Sequence, residues 1–156
     1  MAALAQTWFV HTDFLEARAD PGSVDCITAL SVVKWIHLHR GDAGLKAFFS
    51  RIHSLLVPGG MFILEPQPWK SYRAAVGKMK RQGGCRGEGE EEGPVLQLPQ
   101  HSFFHRVSEL ELRPQGFVDL LCGEFGFQLV KRLVPNETAE GFGRPLLVFR
   151  KTRQST

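Results

Sequence analysis

Short apolar runs alternate along this chain with stretches whose apolar residues recur every three or four positions. Trp8 to His11 is brief, apolar and β-prone, and Val24 to Leu30 repeats that character after the turn signal Asp20-Pro21-Gly22-Ser23. Both runs predict buried strands. From Asp42 onward, Leu45, Phe48, Phe49, Ile52, Leu55 and Leu56 share one helical face, with Asp42 as the cap and Pro58-Gly59-Gly60 as the stop. Met61 to Leu64 returns as a strand, which makes a strand, helix, strand unit with a parallel crossover. Ser71 to Arg81 reads as a basic helix. Pro114 suits the first turn of a helix through about Phe125, with Gly126 as its stop. Phe127 to Leu133 and Pro145 to Phe149 read as strands joined by a loop from Pro135 to Arg144. Apolar strands alternating with amphipathic helices predict an α/β sheet.

The chain has 156 residues and 43% hydrophobic content, enough for one domain with a real core, and one domain over 1–156 is expected. Within it, Gln82 to Pro99 is rich in Gly and Glu with little to bury, so a disordered insertion is expected there. The net charge of +3 permits an anionic partner without demanding one, and its distribution says more. Lys70, Arg73, Lys78, Lys80, Arg81 and Arg86 cluster in one stretch, followed by the acidic run Glu88 to Glu92. Cys26, Cys85 and Cys122 are odd in number and widely spaced, which suggests neither a disulfide framework nor a zinc site. No apolar run approaches about 18 residues, and the opening segment lacks a secretory pattern, so a soluble, intracellular protein without membrane or metal is expected.

In an open parallel sheet, ligands bind beyond the carboxyl ends of the strands, so the segments after Leu30 and Leu64 matter most. The first, SVVKWIHLHRGD, puts Ser31, Lys34, Trp35, His37, His39 and Arg40 on a loop leading to the Asp42 helix. The second, EPQPWKSYR, is stiffened by Pro66 and Pro68, which present Glu65, Gln67 and Trp69 on a rigid segment. Each residue also has a plain structural role open to it: a solvated charge for Lys34 and Arg40, a groove wall for Trp35, a hydrogen-bonded loop histidine for His37 or His39. Trp69 and Tyr72 beside Lys70 and Arg73 form the mixture expected where bases stack and phosphates are neutralised, and also that of an ordinary amphipathic helix edge.

The runs from Leu30 to Leu38, Gly41-Asp42, Leu64-Glu65-Pro66-Gln67-Pro68-Trp69 and Gly141-Phe142-Gly143-Arg144-Pro145 occur in this order. Together they resemble the Bicoid-interacting-protein-three methyltransferases, which include the methylphosphate capping enzyme of small nuclear RNA and a relative acting on RNA 5′ monophosphates. The resemblance implies the C-terminal portion of a class I, Rossmann-like methyltransferase sheet. It implies S-adenosylmethionine as cofactor, the 5′-terminal phosphate of a small non-coding RNA as substrate, ribonucleoprotein proteins as further partners, and nuclear rather than cytoplasmic residence. Asp13, Phe14 and Leu30 match cofactor-lining positions. Lys34 and His37 are the catalytic candidates, and Trp69, Tyr72, Arg73 and Arg144 the RNA-binding ones. GFGRP leans toward the capping enzyme and KSYRAA toward the monophosphate relative, so the end group stays open.

A phosphate oxygen is already anionic, so attack on a sulfonium methyl needs alignment more than a general base. On this reading Lys34, Arg73 and Arg144 position the phosphate, His37 bonds one of its oxygens, and Trp69 or Tyr72 stacks the first base. The opening strand, Gly-rich turn and helix of the fold are not found, no glycine preceding Gly22, so the first strands and Gly-rich loop are expected to be missing. That leaves the Val24 strand with an open edge. The alternative is a catalytically inactive truncated isoform or remnant that binds RNA or protein.

Overall fold

The structure is a computed structural model that describes residues 7–83, 107–134 and 143–152. Four strands form one sheet in the order β1-β2-β4-β3: β1 is Val24–Leu30, β2 Leu56–Glu65, β3 Phe127–Leu133 and β4 Leu146–Lys151. β1 and β2 run parallel, with Leu30 beside Glu65, and are joined by helix α1, Val33–Leu55. β3 and β4 pair antiparallel, and β4 lies between β3 and β2. Helix α2 is Trp69–Gly83, and a 3-10 turn at Pro114–Gly116 leads into α3, Phe117–Glu124.

One face of the sheet holds the core. Ala29, Phe62, Leu64, Phe127, Leu147 and Phe149 point toward Val33, Leu45, Phe48, Phe49 and Ile52 of α1 and toward Phe117, Leu120 and Leu121 of the α3 region. Phe49 is its hub, meeting Phe62, Phe117 and Phe125 edge-on at centroid distances of 6.3, 5.7 and 6.1 Å. Each fully buried Phe or Leu here contributes about 1.5–3 kcal/mol of transfer free energy. Lys151 of β4 donates to the carbonyls of His53 and Leu56 at 2.7 and 2.8 Å, which ties the end of α1 to the sheet. The opposite face carries exposed Cys26, Thr28 and Leu30 from β1 and partly exposed Met61 and Ile63 from β2. Among the described residues, the outer edge of β1 has no strand partner.

Three sequence expectations are corrected. Trp8 to His11 forms no strand, and Trp8 and Phe9 are 82% and 98% exposed, because none of the four strands pairs with them and a β-prone run without a ladder partner has nothing to hold it extended and buried. The segment before Asp42 is itself helical: α1 starts at Val33 and consists of two helical stretches joined at Gly41, which is non-helical at φ 67° and ψ −169° just before the second stretch. Lys34, Trp35, His37, His39 and Arg40 therefore stand on the first half of α1, not on a loop. Nor does Pro58-Gly59-Gly60 end the helix, which stops at Leu55; those residues belong to the start of β2, where Val24 pairs with Leu56 but Cys26 with Met61. Gly59 takes φ 85° within that irregular stretch. The expected insertion from Gln82 to Pro99 begins inside the end of α2, and its residues from 84 onward lie outside the described residues, as do 135–142 of the expected Pro135 to Arg144 loop.

Candidate functional site

Where β1 and β2 end side by side, their following residues build a polar network. Ser31 takes φ 58°, a left-handed conformation that turns the chain sharply from β1 toward α1. Its hydroxyl donates to Glu65 Oε1 at 3.0 Å, and Arg144 Nη1 donates to both Ser31 Oγ and Glu65 Oε1 at 2.9 Å. Arg144 thus enters the edge of the sheet already matched by a carboxylate. Gln67, buried between its two prolines, accepts the backbone N–H of Lys34 at 3.1 Å and donates to the carbonyl of Ser31. Val32 gives α1 no side-chain cap, and Gln67 supplies one from 33 residues away. The Lys34 ammonium lies 4.5 Å from the Trp35 ring centroid.

Beneath this edge, His37 is fully buried and its Nε2 lies 2.6 Å from Asp42 Oδ1. Five positions on a regular helix are about 140° apart around the axis, so the two side chains meet only because Gly41 breaks the helix between them. Asp42 also accepts the backbone N–H groups of Glu111 and Leu112 at 2.8 and 3.3 Å, so it joins α1 to a distant segment and does not cap the helix. Burial holds the His37 imidazole below its usual pKa against the opposing pull of Asp42, which leaves a neutral ring donating from Nε2. Tyr72 is also fully buried, edge-on to His37 at 5.6 Å, and burial raises its phenol far above the ordinary range. Neither ring reaches solvent. This corrects the expectations that His37 bonds a phosphate oxygen and that Tyr72 offers a stacking face; Leu38, Leu110 and Tyr72 form a small second core.

On the surface above Tyr72 stands Trp69, the first residue of α2. One face of its ring lies against Tyr72 at 4.8 Å and 32°, and the Arg113 guanidinium carbon sits 3.8 Å from its centroid. Trp69 therefore already carries a guanidinium over its ring. Lys70 and Arg73 are exposed on the same helix. A separate cleft of about 350 Å³ is lined by Asp13, Phe14, Leu15, Trp35, Ile36, His39, Arg40 and Phe48. There Asp13 accepts the Leu15 N–H at 2.9 Å and pairs with Arg40, and the Leu15 bond first and the guanidinium second hold its carboxyl below the usual value. Phe14 packs edge-on to Phe48 at 5.2 Å. Leu30 is 48% exposed and does not line this cleft, so two of the three cofactor candidates come together and the third stands apart. Among the described residues no group of three or more His, Cys, Asp or Glu is placed to hold a metal ion, and no helix is long and apolar enough to cross a membrane.

A family model described as Bicoid-interacting protein 3 (Bin3) matches residues 24–151. The chain belongs to the Bin3 family. The matched span of this Bin3 chain contains all four strands, Ser31, Glu65, Gln67, Arg113 and Arg144, while Asp13 and Phe14 precede it. Its fold is a partial Rossmann-like methyltransferase sheet of four strands. Similar proteins include a probable RNA methyltransferase of Arabidopsis thaliana, 35% identical over 146 residues, covering 92% of this chain and 39% of that protein. The 7SK snRNA methylphosphate capping enzyme of Homo sapiens is 35% identical over 143 residues, 90% of this chain and 17% of that protein. The U6 snRNA methylphosphate capping enzyme Amus of Drosophila melanogaster is 34% identical over 146 residues, 92% and 42% respectively. The Bin3 chain thus spans less than half the length of these relatives.

Glu65, Gln67 and Arg113 were not among the residues assigned a role from sequence. Gln67 and Glu65 stand in the rigid LEPQPW segment, whose two prolines are the local signal that singles them out. Arg113 carries no such signal, since its partner Trp69 lies 44 positions earlier and no local pattern connects them.

Proposed function

We propose that this chain supplies the RNA-facing side of an S-adenosylmethionine-dependent methyltransferase acting on the 5′-terminal phosphate of a small non-coding RNA. The observation that carries the reading is the convergence, at the carboxyl ends of β1 and β2, of the Ser31, Glu65, Arg144 network with the basic aromatic surface of Trp69, Lys70, Arg73 and Arg113. The names of the relatives support the same chemistry. The Asp13, Phe14 and Trp35 cleft fits the cofactor's adenine, offering aromatic walls and a carboxylate for an exocyclic amine. For the cofactor's amino-acid end, the described residues offer no glycine-rich turn between a strand and a helix.

The bound cofactor supplies an electrophilic methyl group. A phosphate oxygen would form the O–CH3 bond with its own electron pair while the S–CH3 bond breaks and its electrons return to sulfur, releasing S-adenosylhomocysteine, so this chain needs to remove no proton. Its task is to orient. Lys34 and Arg73 draw the phosphate to the sheet edge, and Arg144, tempered by Glu65, aligns it without over-stabilising the nucleophile. His37 acts from inside, holding the first half of α1 through Asp42.

The second reading, an RNA-binding module without methyl transfer, is favoured by the unpartnered outer edge of β1 among the described residues. Calorimetric titration with S-adenosylmethionine and S-adenosylhomocysteine separates the two. Micromolar binding supports the methyltransferase; no heat from folded protein that still prefers 5′-phosphorylated over 5′-hydroxyl RNA leaves the binding module. Equal affinity for the two RNA ends removes the RNA assignment altogether.

A further inference from the structure

We propose that Arg113 is the phosphate-gripping residue of the RNA surface, held ready by Trp69. The inference rests on the RNA reading above and adds a residue that no motif marks. The Trp69 ring packs against Tyr72 at 4.8 Å and carries the Arg113 guanidinium 3.8 Å from its centroid. An incoming strand therefore meets a guanidinium over the indole. Arg113 is exposed, and among the described residues its side chain makes no hydrogen bond or ion pair. A guanidinium stacked on a ring keeps its in-plane N–H groups pointing outward, and that planar fork matches two oxygens of one phosphate. Stacking also removes much of the rotamer freedom that a surface arginine loses on binding. Lys70 and Arg73, exposed on α2 beside Trp69, extend the positive surface along the path of a strand.

The test uses the full chain and a fluorescently labelled, 5′-phosphorylated single-stranded RNA, with affinity measured by anisotropy across a salt series. Arg113→Ala is expected to weaken binding about tenfold or more and to make the slope of log K against log salt shallower by about 0.7, one fewer phosphate neutralised. Arg113→Lys restores the salt slope but not the affinity, since it keeps charge and loses the stacked fork. Trp69→Leu, which removes the platform and leaves the charge, weakens binding with the slope unchanged. Circular dichroism and thermal melting check that each variant folds. Wild-type affinity and slope in Arg113→Ala, with Arg73→Ala weakened, overturn the role of Arg113 while the RNA reading stands. Absence of binding by the unaltered chain overturns both.

Discussion

Asp42→Ala tests whether the buried side of the site is held as described. The Asp42 carboxylate receives His37 Nε2 at 2.6 Å and the N–H groups of Glu111 and Leu112 at 2.8 and 3.3 Å. Its side chain is 26% exposed, so water can replace it at the two backbone donors, and each of those losses costs about 0.5 kcal/mol. His37 is different: it is fully buried, Nδ1 already lacks a partner among the described residues, and the variant would leave Nε2–H without one as well. Orphaning a buried donor costs about 1–3 kcal/mol, which brings the expected loss to about 2–4 kcal/mol in urea unfolding. Asp42→Asn, which keeps the acceptor oxygen, should recover part of it. A double-mutant cycle with His37→Leu should show coupling of about 1 kcal/mol or more, because the second substitution removes the donor that the first orphans. A loss below about 1 kcal/mol, or strictly additive effects, would refute the linkage. The pH dependence follows in sign. His37 has a folded pKa below its usual 6.5, so the unfolded chain takes up the proton first and stability falls as pH drops below 6.5; His53, lowered by burial and then by Lys151, acts in the same direction. The Asp42 pKa is lowered below 3.8, its hydrogen bonds outweighing burial, so its own contribution persists until pH falls through that lower value. Asp42→Ala removes the group that draws a proton toward His37 and should steepen the loss beginning at 6.5.

Three further outcomes are expected. Gly41→Ala, at φ 67° and ψ −169°, places a side chain in a backbone region almost reserved for glycine and should cost about 1–3 kcal/mol, seen as a lowered Tm; an unchanged Tm would show that the kink relaxes freely. Tyr72→Phe removes a buried hydroxyl that has no partner among the described residues, so stability should stay within about 0.5 kcal/mol or rise, and a loss above about 1 kcal/mol would reveal a partner. Glu65→Gln leaves Arg144 without its matching carboxylate, so affinity for 5′-phosphorylated RNA should increase in an anisotropy titration; a decrease would mean that Glu65 itself contacts the RNA or that the network collapses.

The strands at Val24–Leu30 and Phe127–Leu133 lie where their apolar runs predict, and β4 is displaced by only a residue or two, because in each case a turn signal and a neighbouring strand agree. Trp8 to His11 has the same local character and forms no strand, since pairing depends on residues far away in sequence. Gly41-Asp42 has the composition of a helix boundary and does separate two helical stretches; the stretch from Val33 to Arg40 has no local pattern that announces it, since it is held by Gln67 and by packing against α2. Residue types at the site were legible; their depth was not. His37 and Tyr72 are buried by α2 folding over the first half of α1, a contact between segments whose own patterns do not announce it. The network around Glu65 and Gln67 likewise spans more than 30 positions between partners.

That difference in depth divides the polar and aromatic residues of the site into two layers with distinct work. Neutral His37, Asp42 and Tyr72 are a framework: their polar atoms are spent on one another, on backbone, or left without a partner, and the burial that depresses the imidazole pKa makes His37 a poor site for a positive charge near phosphate. Gln67 belongs with them, because it uses both ends of its amide to fix the start of α1 against the end of β1. The outer layer consists of charges whose geometry that framework sets: Lys34 over Trp35, Arg113 over Trp69, and Arg144 against Glu65. In each outer pair a flexible cation is restrained by a ring or a carboxylate. A phosphate approaching this edge would meet cations already limited in rotamer freedom, which lowers the entropy lost on binding and favours orientation over mere attraction.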